Sequence, residues 1–220
     1  MKPLFITATN TNVGKTYTTL KLIDYFSKLG YKTGVFKPIE TGVKDQPEDA
    51  SLLLKTCIKY NRDFSIFTTD DICPIQFSLP AAHYVSADLQ DIDLRAIFKT
   101  VKRLQQYCDI LLIEGAGGLL VPIQKNYFML DLFKALDASL LLVTHDKLGS
   151  INDTLLNLSV LKQHHIDPTW CINVRDPEQF AHVTLPFYKT YFKNIYTLQE
   201  NLPQIAASLI TDSNGNRYTF

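Results

Sequence analysis

The chain has 220 residues, of which 46% are hydrophobic, enough for one domain with a sizeable core or at most two small ones. Lys+Arg and Asp+Glu balance at 22 each, so no net field draws the chain to nucleic acid or to an anionic membrane, and any phosphate binding has to be local. No apolar run approaches the ~20 residues that span a bilayer, and the LFITA after Met1-Lys2-Pro3 is too short for a signal-peptide core, which predicts a soluble cytoplasmic protein.

In chain order, LFITA (4–8) reads as a buried strand and Lys15 to Leu29 as a helix with Leu20, Ile23, Phe26 and Leu29 on one face, stopped by Gly30. TGVFKPIE (33–40) reads as a second strand ended by Pro38, and 47–60 as a helix. Residues 63–90, with Pro74 and Pro80, read as irregular, and 91–106 as helical. DILLIEGAGG (109–118) predicts a buried strand running into a glycine turn, 128–136 a short helix and ASLLLVT (138–144) another strand. Then come a helix (150–165), a strand (169–174), a helix (178–192), a short strand (194–198) and a loose tail over 211–220. The cysteines 57, 108, 73 and 171 form no C-x-x-C pair and have no metal-like His spacing, and are read as buried free thiols.

Continuously apolar strands, each followed by a helix, imply a single doubly wound α/β domain with a mostly parallel sheet and helices on both faces. Ligands of such sheets bind beyond the carboxyl ends of the strands. The loops at 9–16, 37–49, 114–118, 145–152 and 173–177 are therefore expected to converge on one site.

Gly14-Lys15-Thr16 stands at a strand-to-helix junction. There, backbone N–H groups at a helix N-terminus can cradle phosphate, a lysine can reach the β/γ-phosphates and a threonine hydroxyl can ligate Mg²⁺. The common phosphate-loop pattern would place its first glycine at position 9, where this chain has Thr9. Glu114 at one strand end and Asp49 after another are candidate Mg²⁺ ligands, although PEDA around Asp49 also suits a helix start. Lys37 ends a strand where an aliphatic residue would suffice for packing; at ~4 Å and an effective dielectric of 20 its charge is worth roughly 4 kcal/mol to an anion. A solvated strand-end lysine is the alternative. His83 and His145 lie in loops near the expected site without metal spacing, and no G-x-S-x-G is present.

Taken together, these motifs resemble dethiobiotin synthetases, whose fold is that of P-loop nucleoside triphosphatases. The resemblance covers most of the chain. It rests on A-T-N-T-N-V-G-K-T (8–16), K-P-I-E-T-G (37–42), Asp49-Ala50, the P-x-x-F-x-x-P-x-x-x-H stretch from Pro74 to His83 and E-G-A-G-G (114–118) with Pro122. It continues in Leu148-Gly149-Ser150-Ile151-Asn152-Asp153 and W-C-I-N (170–173). In the family the first small residue of the loop falls at Ala8, which accounts for Thr9.

The resemblance implies ATP-dependent carboxylation and ring closure of 7,8-diaminopelargonate with CO₂ or bicarbonate. The path runs through a carbamate and a carbamic–phosphoric anhydride to dethiobiotin, ADP and phosphate. It implies that Lys15 and Lys37 bridge carbamate and γ-phosphate, that Thr16, Asp49 and Glu114 hold Mg²⁺, and that Thr11 and Thr41 bond the carbamate or diamine. Asn12, Val13, Gly14, Lys15, Thr16 and Tyr17 would cradle the phosphates, with Glu114, Gly115, Ala116 and Gly117 beside them, and Asn173 would read the adenine. Gly149, Ser150, Ile151 and Asn152 would receive the substrate carboxylate across a homodimer interface. The chain departs from the family pattern at Ala8, Asn10, Asn12 (for an acid) and Asp153 (for His), and 195–199 lacks the usual proline-bearing nucleotide loop.

Other classes were open at this level. Asp146-Lys147-Leu148-Gly149 matches the D-x-x-G of switch GTPases and would suit a partition-type ATPase acting through partners, but no N-K-x-D guanine motif occurs. A glutamine-fed amide ligase would need a further domain with a nucleophilic cysteine, for which 220 residues leave no room. A binding module without chemistry would not need Lys37, Asp49 and Glu114 at separate strand ends.

Overall fold

A computed structural model of the chain describes residues 2–211. Its elements in order are β1 (Leu4–Ala8), α1 (Lys15–Lys28), β2 (Thr33–Phe36), β3 (Ile39–Thr41), α2 (Glu48–Tyr60), α3 (Thr69–Ile72), β4 (Ile75–Phe77), α4 (His83–Ser86) and α5 (Arg95–Leu104). They continue with β5 (Ile110–Gly118), β6 (Pro122–Gln124), β7 (Tyr127–Phe128), α6 (Met129–Ala135), β8 (Ser139–His145), α7 (Ser150–Gln163), β9 (Thr169–Asn173), α8 (Pro177–Gln179), α9 (Leu185–Tyr191) and α10 (Leu202–Leu209).

The central sheet has five parallel strands in the order β2-β5-β1-β8-β9. Every residue of β1 and of β2 is buried. Because successive side chains point to opposite faces, an unbroken buried run means that both faces of the sheet are covered. Helix α1 packs on β1, β2 and β5 and against α2 and α10, while α5, α6 and α7 pack on β2, β5 and β8. All five strands run the same way, so their carboxyl ends share one edge. Ile6 is level with Glu114, and His145 with Asn173.

The expected strand over 33–40 is two strands. Pro38 has no N–H to give to a ladder, and the Lys37 N–H is taken by the Ile72 carbonyl. The chain leaves the sheet at Phe36, and β3 pairs with β4 as a separate two-stranded parallel sheet. The stretch read as irregular, 63–90, thus contains β4, α3 and α4. Residues 194–198 do not form a strand; Thr197 makes an isolated bridge to Ile172. Helix α10 was not expected. The loose tail predicted for 211–220 lies, apart from Thr211, outside the described residues. No helix among the described residues is long and apolar enough to cross a membrane. All four cysteines are free, three of them buried.

Candidate active site

At the carboxyl edge of the sheet lies a cavity of about 1030 Å³. All five loops expected to converge contribute to its wall: Thr11, Asn12, Gly14, Lys15 and Thr16; Lys37, Glu40, Thr41 and Asp49; Ala116 and Gly117; Lys147; and Arg175. Pro80 to His83 close one side.

The start of α1 is built to receive an anion. Gly14 is its N-cap in the left-handed region (φ 114°), no side chain caps the helix, and its first turn carries no acid. The amides at this positive helix end are thus left to a ligand. Asn12 is also left-handed (φ 58°), a conformation asparagine tolerates better than most residues. A Cβ on Gly14 would lie 2.2 Å from Asn173 Nδ2, so glycine is required there. The Lys15 ammonium is buried and donates to the Asn10 carbonyl at 3.2 Å. Burial, followed by repulsion from Lys37, lowers its pKa to about 8. Val13 is buried and Tyr17 exposed.

Beside the start of α1, the Lys37 ammonium donates to Glu114 Oε1 at 2.7 Å and to the Gly115 carbonyl at 3.2 Å, and stands 3.3 Å from Asp49 Oδ2. Burial alone would lower the Lys37 pKa, but Glu114 and Asp49 outweigh it and hold the ammonium above the ordinary lysine range. Asp49 is fixed from behind: Glu40 accepts the backbone N–H groups of Asp49 and Ala50, both at 3.0 Å, and so caps α2, which has no other side-chain cap. Burial raises the Glu40 pKa against the pull of those two bonds.

Thr16 Oγ1 lies 2.9 Å from Glu114 Oε1 and 3.1 Å from Asp49 Oδ1. It has one proton and can donate to only one of them. Glu114 Oε2 is buried without a hydrogen-bond partner among the described residues. A hydroxyl between two carboxylates, with one carboxylate oxygen orphaned, suits a hard cation such as Mg²⁺. No cluster of three or more His, Cys, Asp or Glu able to hold a metal occurs among the described residues. His83 is buried, its Nδ1 has no partner among the described residues, and burial lowers its pKa to about 4, keeping the ring neutral at physiological pH. The four thiols lie outside the cavity wall and are pushed up by burial.

On the third side, Asn173 Nδ2 donates to the Val13 carbonyl at 2.9 Å and Asn173 Oδ1 accepts from Gln199 at 3.1 Å. Asn173 is only 3% exposed and is absent from the cavity wall.

A protein-family profile described as an AAA domain matches residues 2–203. The ATP-dependent dethiobiotin synthetase of Sulfurovum sp. is 49% identical over 210 residues, covering 95% of this chain and all (100%) of that protein. That of Wolinella succinogenes is 40% identical, covering 96% and 99%. The chain belongs to the dethiobiotin synthetase family. Among solved structures, the MinC:MinD complex of Aquifex aeolicus superposes with a TM-score of 0.52 at 18% identity, covering 99% of this chain and 87% of that one. A plasmid partition protein of Borrelia burgdorferi gives 0.55 at 10% identity, covering 96% and 100%. At such identities the likeness establishes the fold alone, that of P-loop nucleotide-binding proteins, and lends nothing to the partition-ATPase reading.

Within the dethiobiotin synthetase motifs, the sequence reading passed over Glu40, although K-P-I-E-T-G contains it. Arg175 was passed over as well, and Asp146 and Lys147 were noted only as part of a D-x-x-G match. The signal for Glu40 was a carboxylate beside a strand end followed eight residues later by an uncapped helix start. The segment Gly149 to Asn152 begins α7 and is absent from this chain's cavity wall. Leu148, 84% exposed, precedes it, and Leu156 and Leu120 are exposed nearby along a second, shallower hollow.

Proposed function

We propose that the chain is an ATP- and Mg²⁺-dependent cyclo-ligase that converts 7,8-diaminopelargonate, CO₂ and ATP to dethiobiotin, ADP and phosphate, acting in the cytoplasm. The observation that carries this reading is the convergence of Lys15, Thr16, Lys37, Asp49 and Glu114, from three separate strand ends, on the open N-terminus of α1.

The reaction needs no enzyme nucleophile. One substrate amine adds to CO₂ to form a carbamate, whose oxygen takes the γ-phosphoryl group of ATP. The second amine then attacks the carbamoyl carbon, closing the ureido ring with loss of phosphate. Negative charge gathers on carbamate and phosphoryl oxygens, so catalysis rests on positioning and fixed cations. Lys37, held by Glu114 and Asp49, is charged throughout the physiological range. Lys15 stands beside the phosphate loop. Thr16, Asp49 and Glu114 would hold Mg²⁺, which neutralises phosphate charge when bound. Thr11 and Thr41, both in the cavity wall, would bond the carbamate or diamine, and Asn173, packed behind the phosphate loop, would read the adenine edge.

The substrate carboxylate is assigned to the amides of Gly149 to Asn152, supplied by the partner subunit of a homodimer. Support comes from α7, which begins with no side-chain cap and carries exposed Leu156. The test is phosphate release from ATP with each substrate omitted in turn. Release should require diaminopelargonate, bicarbonate and Mg²⁺ together; release indifferent to the diamine would overturn the reading.

A further inference from the structure

The site leaves two cations of its wall, Lys147 and Arg175, without a role, and Arg175 is the one that the structure ties to the phosphate loop. Arg175 lies two residues past β9 and is exposed, yet its backbone is held from inside the protein. Its N–H and that of Asp176 both donate to Asp146 Oδ2. Asp146 is only 1% exposed, and its own carbonyl accepts from Thr184. A buried carboxylate is costly unless it is bonded. Among the described residues the side-chain partners of Asp146 are these two amides, and they are in place only when the 173–176 loop turns this way. The other oxygen, Oδ1, has no partner among the described residues.

The guanidinium reaches the phosphate loop. Arg175 Nη2 donates to the Asn12 carbonyl at 2.7 Å and lies 3.6 Å from where a Cβ on Gly14 would stand. It is therefore at the positive end of α1, in the same cavity as Lys15 and Lys37. Among the described residues no carboxylate pairs with it; the Asn12 carbonyl is the acceptor it meets. Lys37 is paired with Glu114 and Asp49, whereas Lys15 and Arg175 each meet a backbone carbonyl, so two cations stand at this helix N-terminus with no carboxylate of their own among the described residues.

We propose that Arg175 is a third phosphate-binding cation of this site, acting on the nucleotide's polyphosphate, and that Asp146 is the residue that positions it. The proposal rests on the ATP-dependent reading above, and the two fail separately: wild-type protein that does not bind ATP sinks that reading, whereas wild-type binding matched by Arg175→Ala sinks this proposal alone.

The experiment measures ATP affinity by titration calorimetry, with KM for ATP and for diaminopelargonate, in Arg175→Ala, Arg175→Lys, Asp146→Ala, Asp146→Asn and the Arg175→Ala/Asp146→Ala double variant. Loss of a charge-assisted bond to phosphate should weaken ATP binding about tenfold or more in Arg175→Ala. Arg175→Lys should recover part of the loss, and KM for the diamine should stay within about twofold of wild type. Asp146→Ala should weaken ATP binding several-fold alone and add nothing when Arg175 is already gone, the non-additivity expected of two residues acting through one contact. Asp146→Asn keeps an acceptor oxygen for the two amides and serves if Asp146→Ala does not fold. Unchanged ATP affinity in Arg175→Ala, or a loss that falls on the diamine KM instead, would overturn the assignment of Arg175. An Asp146 effect of full size in the Arg175→Ala background would overturn the positioning role.

Discussion

Lys37 Nζ lies 2.7 Å from Glu114 Oε1, with both side chains buried, because β2 and β5 are neighbours and Phe36 pairs with Ile113. Each residue is the next one along from that pair. The register thus delivers a cation and an anion to the same point at the edge of the sheet. Removing one partner of a buried pair leaves an uncompensated charge, at about 3–5 kcal/mol. Lys37→Ala should therefore lose both stability and turnover. Lys37→Gln, which keeps an N–H for Glu114, should melt closer to wild type yet still lose turnover about 100-fold or more, the scale for a group that stabilises developing charge. Thermal melts and kcat on both variants check this; wild-type kcat in Lys37→Gln would remove Lys37 from the chemistry.

Lys15 gives a pH signature. Its folded pKa of about 8 lies below that of an unfolded lysine, so between the two values the unfolded chain binds more protons. The Lys15 contribution to stability accordingly rises with pH from about 8 to about 10.4 and is at its most unfavourable below 8. Phosphate binding acts in the opposite sense, since it favours the ammonium. ATP binding at pH 8 should take up about half a proton, seen by calorimetry in two buffers of different ionisation enthalpy. Lys15→Gln should abolish the uptake.

Glu40 acts through Asp49. Glu40→Ala should remove the cap on α2 at a cost of about 1 kcal/mol and free Asp49 to drift. The Mg²⁺ concentration for half-maximal activity should rise several-fold, with KM for the diamine little changed. Glu40→Gln, which keeps one acceptor, should fall between. A melting loss without a change in Mg²⁺ dependence would make Glu40 a cap only.

A shared active site can be tested by subunit mixing. Lys15→Ala and Asn152→Ala proteins, each weak alone, should regain activity together if the 149–152 segment serves the partner's site, with up to about half of the mixed-dimer sites intact by simple counting of combinations. Mixed dimers that form without rescue would place that segment outside the chemistry.

Much of this arrangement was legible in the sequence, for a physical reason. Lys37, Glu114 and Asn173 each directly follow a short apolar run, and Lys15 follows one after the 9–14 loop; a parallel sheet brings such strand ends together whatever their spacing along the chain. What escaped depends on contacts that no local pattern records. β3 pairs with β4 across some 35 residues of chain, and 194–198 has strand composition but lies where only Thr197 bridges Ile172. Asp146 resembled a switch motif and instead holds the 175–176 amides. Helix α10 was readable: Leu202, Ile205, Ala206 and Leu209 follow helical spacing with Pro203 in the first turn.

The central claim is that ATP cleavage is coupled to closing a ureido ring on a diamine. The most direct measurement supplies ¹³C-bicarbonate, diaminopelargonate and MgATP and follows both phosphate and the labelled product by mass spectrometry. The account predicts one labelled carbonyl carbon in dethiobiotin for each phosphate released, and no phosphate above background without the diamine. Phosphate released at the same rate whether or not the diamine is present, with no label in a ureido product, would contradict it.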